Sequence, residues 1–396
     1  GCKFYHSAVS DSQSIHQWEF DPLNYPEKFY FGQPRVPCTY LDSRDYVYGS
    51  GEKLREAVEF ICSNTNPDLL AVINSPGAAL IGDDLRGIIA PEIIGRKFIV
   101  IETPGFSQNI CAGYENTSIE IIKQLNLPKK QKKPSRVNIL GLSIFHKYYR
   151  GDVNEIRRLL ELCGIEAGCF LCAGCTVEDM ERLSEAELNI VINPEYGCET
   201  ARFLENEYGT PFYMCDGPPI GFFATEKFIC DVCEILGKDS SAFTAEAEKS
   251  RVTAYPHISR VNSLTGLPKG VSFAVEGAYS EIYSYTLFLV KYFGMIAEST
   301  SIINGERNIF KDKTEKLFAS LNLKDALKKD IMDTASELVF ASGGTIACLK
   351  LQNLAFTGIE TSLPTLGYID VIPKTHLGLQ GALLITEQVL NGLRFD

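Results

Sequence analysis

The chain is 396 residues long, with 45% hydrophobic and 22% charged residues, no long biased tract and a formal charge of -12. Those values exclude a disordered or fibrous chain, and the acidic balance argues against general nucleic-acid binding, which needs a surplus of Lys and Arg. The length is too great for one hydrophobic core and favours two or three domains. No apolar run approaches the ~18 residues of a membrane span and no charged-then-apolar leader opens the sequence, so a cytoplasmic protein is expected. Thirteen cysteines, an odd number, fit thiols or metal ligands in a reducing compartment better than a disulfide framework.

Strand-like apolar runs alternate with amphipathic helices along the chain, the pattern of parallel sheets covered on both faces. Residues 51–63 place Leu54, Ala57, Val58, Ile61 and Cys62 at helical spacing, and 69–75 and 97–103 read as buried strands. A basic run, Lys129, Lys130, Lys132, Lys133 and Arg136 around Pro134, reads as a solvated linker, with docking of an acidic partner as the alternative. Beyond it, 136–142, 188–193 and 211–215 read as strands, and helices are expected from Asp152 and over 198–208. A third unit opens with a strand at 270–275 and closes with a helix at 378–390. The expected fold is α/β, three doubly wound Rossmann-like lobes around a central cleft, over residues 1–134, 135–267 and 268–396. In such sheets ligands lie at the carboxyl ends of the strands.

Tyr46-Val-Tyr-Gly-Ser-Gly-Glu-Lys-Leu54, Leu80-Ile-Gly-Asp-Asp84, Gly113-Tyr-Glu-Asn116, Leu188-Asn-Ile-Val-Ile-Asn-Pro-Glu-Tyr-Gly197 and His376-Leu-Gly-Leu-Gln-Gly-Ala382 stand in this order. Together they resemble the nitrogenase component 1 superfamily over nearly the whole chain. The resemblance implies an oxidoreductase subunit in a homo- or heterodimeric component. It also implies a shared iron-sulfur cluster, 4Fe-4S, at a subunit interface, and electrons from a P-loop, ATP-dependent iron-sulfur partner. No P-loop motif occurs in this chain, so another polypeptide is expected to hydrolyse ATP. No nucleic-acid or membrane partner is expected.

Gly1-Cys2 looks like the end of a family segment that carries a cluster ligand, so the chain is expected to continue upstream. The family's later cysteine is replaced by Ser75 or Pro76, and Cys38 is the other candidate ligand. Nitrogenase proper holds its active-site cofactor with one Cys and one His; Asn193 and Tyr368 stand at the aligned positions, and neither replaces a soft-metal ligand. Dinitrogen reduction is therefore not expected. Asn193, Glu195 and Tyr368 are candidate cleft residues, and His376 is the candidate proton donor on its ordinary pKa. Cys198 and Asp216 are further polar candidates, each with an ordinary reading as a cap or loop residue.

Cys169, Cys172 and Cys175 have ferredoxin-like spacing but lie on a strand running into a loop, where alternate residues face opposite ways. Cys230 and Cys233 read as core residues of a helix. A metallocluster scaffold and a multi-lobed small-ligand-binding protein remain as alternatives.

Overall fold

The computed structural model describes residues 39, 41–64, 66–74, 76–89, 95–102, 109–144, 146–303, 305, 309–362 and 370–393. The chain divides into two compact units: residues 1–128 with 176–181, and residues 129–175 with 182–396.

In the first unit, helix α1 (Ser43–Tyr48) starts with a capping box in which Asp42 and Asp45 each accept the other's backbone N–H. Gly49 then turns the chain at φ 96°. Ser50 donates from both its backbone N and its hydroxyl to Asp83, each at 2.7 Å, which ties the Tyr-Gly-Ser element to the Gly-Asp-Asp element. Helix α2 (Gly51–Asn64) buries Leu54 and Val58 against Leu85 and Ile89 of α4 (Leu85–Ile89), which follows the short α3 (Pro76–Ala79). Strands β1 (Leu70–Ile73) and β2 (Phe98–Ile101) pair in parallel, and α5 (Ile110–Leu125) packs on β2. Both strands fall inside the expected runs.

The second unit carries two four-stranded parallel sheets. The first contains β3 (Lys133–Leu140), β4 (Glu166–Phe170), β5 (Ala186–Val191) and β6 (Phe212–Met214) in the order β4-β3-β5-β6. Its helices are α6 (Tyr149–Leu162), α8 (Pro194–Tyr208), α9 (Phe222–Leu236) and α10 (Ser241–Thr265); the short α7 (Val177–Glu181) belongs to the first unit. The second contains β7 (Ser272–Gly277), β8 (Ile296–Ile302), β9 (Leu338–Ser342) and β10 (Thr357–Ser362) in the order β10-β9-β7-β8. It carries α11 (Tyr279–Phe293), α12 (Lys311–Ser320), α13 (Gly343–Leu351) and α14 (Gly378–Gly392).

One continuous core joins these two sheets, from Val137, Ile139 and Ile190 through Phe228 and Phe243 to Phe273, Phe340, Ile385 and Val389. Burying Phe243 completely contributes roughly 2 to 3 kcal/mol by area alone. Helix α10, which precedes residue 268, packs along α14, so the second and third lobes share helices as well as core.

The basic run begins as the solvated linker expected, at the boundary between the two units, with Lys129, Lys130 and Lys133 exposed, and only Arg136 departs from it. Lys133 opens β3 and pairs with Glu185 at 2.9 Å, Lys129 pairs with Glu207 at 2.9 Å, and Arg136 is buried between Glu166 and Glu185. The lysine pairs lie at the surface, and only the Arg136 charge is buried. Helix α8 starts at Pro194, four residues before the expected start, because Pro is favoured in the first turn, where its missing N–H costs nothing.

Candidate functional site

In each sheet of the second unit the chain leaves the first strand in opposite directions, which creates a topological switch point at adjacent carboxyl ends. In the second lobe this lies between β3 and β5. Gly141 turns out of β3 at φ +79°, and a Cβ there would come within 2.5 Å of the Asn193 carbonyl oxygen. The Asn193 side-chain nitrogen donates to the Gly141 carbonyl at 2.8 Å, stitching the two strand ends together. The buried Asn193 Oδ1 has no hydrogen-bond partner among the described residues.

In the third lobe the switch point lies between β7 and β9. Glu276, near the end of β7, accepts from the Ser342 N–H at 2.9 Å and the Thr345 hydroxyl at 2.6 Å. Helix α11 then starts, and its first residues reach the second lobe. The Ser280 N–H donates to Glu195 at 2.9 Å, and the Ser280 hydroxyl donates to the other oxygen of that fully buried carboxylate. The two switch points thus abut along a polar seam.

His146, in the loop after β3, stands beside the same helix. The Ser143 N–H donates to its Nδ1 at 3.0 Å, which places its own proton on Nε2, 3.8 Å from Glu281 Oε1. Burial pushes the Glu281 carboxyl up to about 7 and pulls the His146 imidazole down to about 4. Lys147 pairs with Glu360 of β10 at 2.5 Å and with Asp370 at 3.2 Å, all three largely hidden from solvent. The Thr375 hydroxyl donates to Asp152 of α6 at 2.6 Å, and burial raises that carboxyl to about 7 as well. Glu155 accepts the Leu379 and Gln380 N–H groups at 3.0 and 3.1 Å, an anion at the start of α14.

His376 is buried. Its Nδ1 is 2.7 Å from the Tyr285 hydroxyl and its Nε2 is 2.9 Å from Gln388 Oε1, so Nε2 carries the proton and Nδ1 accepts from Tyr285. Burial holds the ring neutral, its pKa down to about 3. Helix α11 connects the candidates: Ser280 reaches Glu195, and Tyr285, farther along, reaches His376. Asn193 and Glu195 thus stand at the seam, and His376 packs against the same helix five residues farther along. Near neutral pH the groups that titrate here are the Glu281 and Asp152 carboxyls, while both imidazoles are neutral.

Tyr368, Cys2 and Cys38 lie outside the described residues. Asp216 is exposed and pairs with Lys313 at 2.5 Å, and Cys198 is buried in α8. Cys169 ends in β4, an edge strand, and no group of three or more potential ligands among the described residues could hold a metal ion. Cys230 is exposed, against the core assignment; Cys233 is buried, one turn on. Sequence reading missed His146, Lys147, Asp152, Glu281 and Glu360. The adjacent His146 and Lys147, just past the first strand of the lobe, were the available signal.

A family model described as Nitrogenase component 1 type Oxidoreductase matches residues 1–394. The chain belongs to that family. Among relatives of this nitrogenase component 1 type, it is similar to a light-independent protochlorophyllide reductase subunit of Synechococcus sp. (strain CC9311), 30% identical over 247 residues, covering 59% of this chain and 47% of the relative. The corresponding reductase subunit from Rhodopseudomonas palustris (strain BisB18) is 29% identical over 245 residues, covering 59% and 46%. The chain spans about half the length of the curated relatives it matches. The solved structure "Nitrogenase Cp1 at pH 6.5" superposes with a TM-score of 0.70 at 20% identity, covering 90% of this chain and 81% of that one, which establishes the component 1 fold. Among the described residues no helix is long and apolar enough to cross a membrane.

Proposed function

We propose that this chain is a catalytic-component subunit of a nitrogenase-like two-component reductase, and that it reduces an organic substrate at the seam between the second and third lobes. The observation that carries this reading is the family match over residues 1–394. Two abutting switch points support it, because ligands of open α/β sheets bind at such places. The names of the relatives make a protochlorophyllide-like tetrapyrrole the first substrate class to assay.

In this reading Glu281 and Asp152 are the groups whose proton exchanges near neutral pH, as a proton donor requires. His376 acts as a neutral ring that orients the Tyr285 hydroxyl. Asn193 offers its unpartnered Oδ1 as an acceptor, and Tyr368 stands with it as a proposed cleft residue. Neither supplies a thiolate or imidazole, so dinitrogen is not the proposed substrate.

The 4Fe-4S cluster, the second component 1 subunit and the P-loop iron-sulfur donor belong to the same proposal and rest on the family resemblance, with Cys2 and Cys38 as ligands. The described residues gather no group of three or more potential ligands for a metal ion. Spectroscopy tests this part. Protein purified without oxygen should show broad visible absorption and an EPR signal on reduction. Cys2→Ser should lower bound iron and bleach that absorption while Cys230→Ser leaves both unchanged. Equal iron content and equal EPR signals in the Cys2 variant and the parent would overturn the assignment.

A further inference from the structure

On the third lobe, away from the seam's histidines, a cavity of about 560 Å³ opens between the end of β8, the start of α11 and helix α12. Its size lies within the range of small-molecule sites. Lys311, Lys316, Lys324 and Lys328 line it against only two carboxylates, Asp312 and Glu315. The Lys311 ammonium is 3.9 Å from Glu315, which offsets one charge. Lys316, Lys324 and Lys328 make no ion pair with any described residue, although their neighbours Lys313 and Lys329 are both paired, with Asp216 and Glu298. In a chain of net charge -12 this is a local surplus of two positive charges facing one space.

Two further features point the same way. Phe310, which precedes α12, makes no side-chain cap, and Lys311 and Asp312 of the first turn of that ten-residue helix line the cavity. Tyr279, Ile302 and Leu327 supply apolar walls, one of them aromatic.

We propose that this cavity binds a small organic dianion, a phosphate monoester or dicarboxylate carried on a flat apolar body. The charge of such a ligand matches the surplus. Its flat body would stack on Tyr279 and lie against Ile302 and Leu327, and its anionic end would meet the lysines and the α12 N-terminus. The site is distinct from the seam, yet Tyr279 is followed directly by Ser280 and Glu281, and the Thr314 hydroxyl of α12 donates to the Tyr279 carbonyl at 2.9 Å. An occupant would therefore stand one residue from the proposed reaction site.

Calorimetric titration of the full chain, kept without oxygen, with adenosine 5′-monophosphate, isophthalate and uncharged adenosine tests the proposal. At least one dianion should bind saturably with a Kd below about 1 mM, and adenosine should not. The nucleotide and isophthalate arms separate a phosphate ligand from a carboxylate one. Replacing Lys316, Lys324 and Lys328 together by Ala should weaken binding at least tenfold at an unchanged melting temperature, and raising the salt should weaken it in the parent. No saturable binding of either dianion up to about 5 mM, or equal binding by the triple variant, would overturn it.

Discussion

Burial moves Glu281 and His146 in opposite directions, and the consequence is measurable at a single residue. The Glu281 carboxyl rises from 4.5 to about 7, so the folded state holds its proton more tightly. The stabilisation from that proton is complete below pH 4.5 and is lost as pH rises through about 7. His146 falls from 6.5 to about 4, so its neutral form stabilises the fold above pH 6.5, and this is lost as pH falls toward 4. Between those limits the two effects oppose each other. Glu281→Gln removes the first and leaves the second. Thermal melts should show the variant more stable than the parent at pH 8, by on the order of 2 kcal/mol, with the advantage vanishing near pH 4.5. A difference independent of pH would contradict the assignment of a proton to Glu281.

At the scale of elements, helices meet loops at distances that composition does not reveal. Gly151, in the first turn of α6, has the Lys374 carbonyl where its Cβ would go, only 1.8 Å away. Gly113, in α5, has no described neighbour within 4 Å of that point. In a helix Ala is ordinarily favoured over Gly by roughly 0.5 to 1 kcal/mol. Gly113→Ala should therefore stabilise by about that amount, whereas Gly151→Ala should destabilise by about 2 to 3 kcal/mol, since backbone cannot give way as a side chain can. Denaturant melts of both variants check the pair, and equal shifts of one sign would be inconsistent with the packing of α6 against residue 374.

The elements themselves were largely legible in sequence. Strands buried on both faces leave apolar runs such as 136–142 and 188–193, and these fall on β3 and β5. The seam was legible only in fragments. Asn193, Glu195 and His376 stand out by type and position, but their partners are joined by pairings such as Asp152 with Thr375 and Lys147 with Glu360, more than 200 residues apart. Nothing local marks Glu281 as a group that keeps its proton, because its pKa comes from burial by elements distant in the chain. The reverse held for His376: its type suggests a proton donor, and burial takes the imidazolium away.

For the whole molecule, the second and third lobes form one body, since a single core and shared helices run through both sheets. Their switch points are thereby fixed against each other. That arrangement suits positioning a substrate, because groups held by packing need no reorganisation when charge develops. The central claim is that this body reduces an organic substrate with electrons delivered by an ATP-hydrolysing iron-sulfur protein. The most direct measurement is anaerobic turnover of the full-length chain with its component 1 partner subunit, a competent P-loop iron-sulfur protein and MgATP, offered protochlorophyllide and dinitrogen in separate reactions. The account predicts reduction of the tetrapyrrole that stops when ATP or the iron-sulfur protein is withheld, and no ammonia from dinitrogen. Sustained ammonia formation, or tetrapyrrole reduction that proceeds equally without ATP, would contradict it.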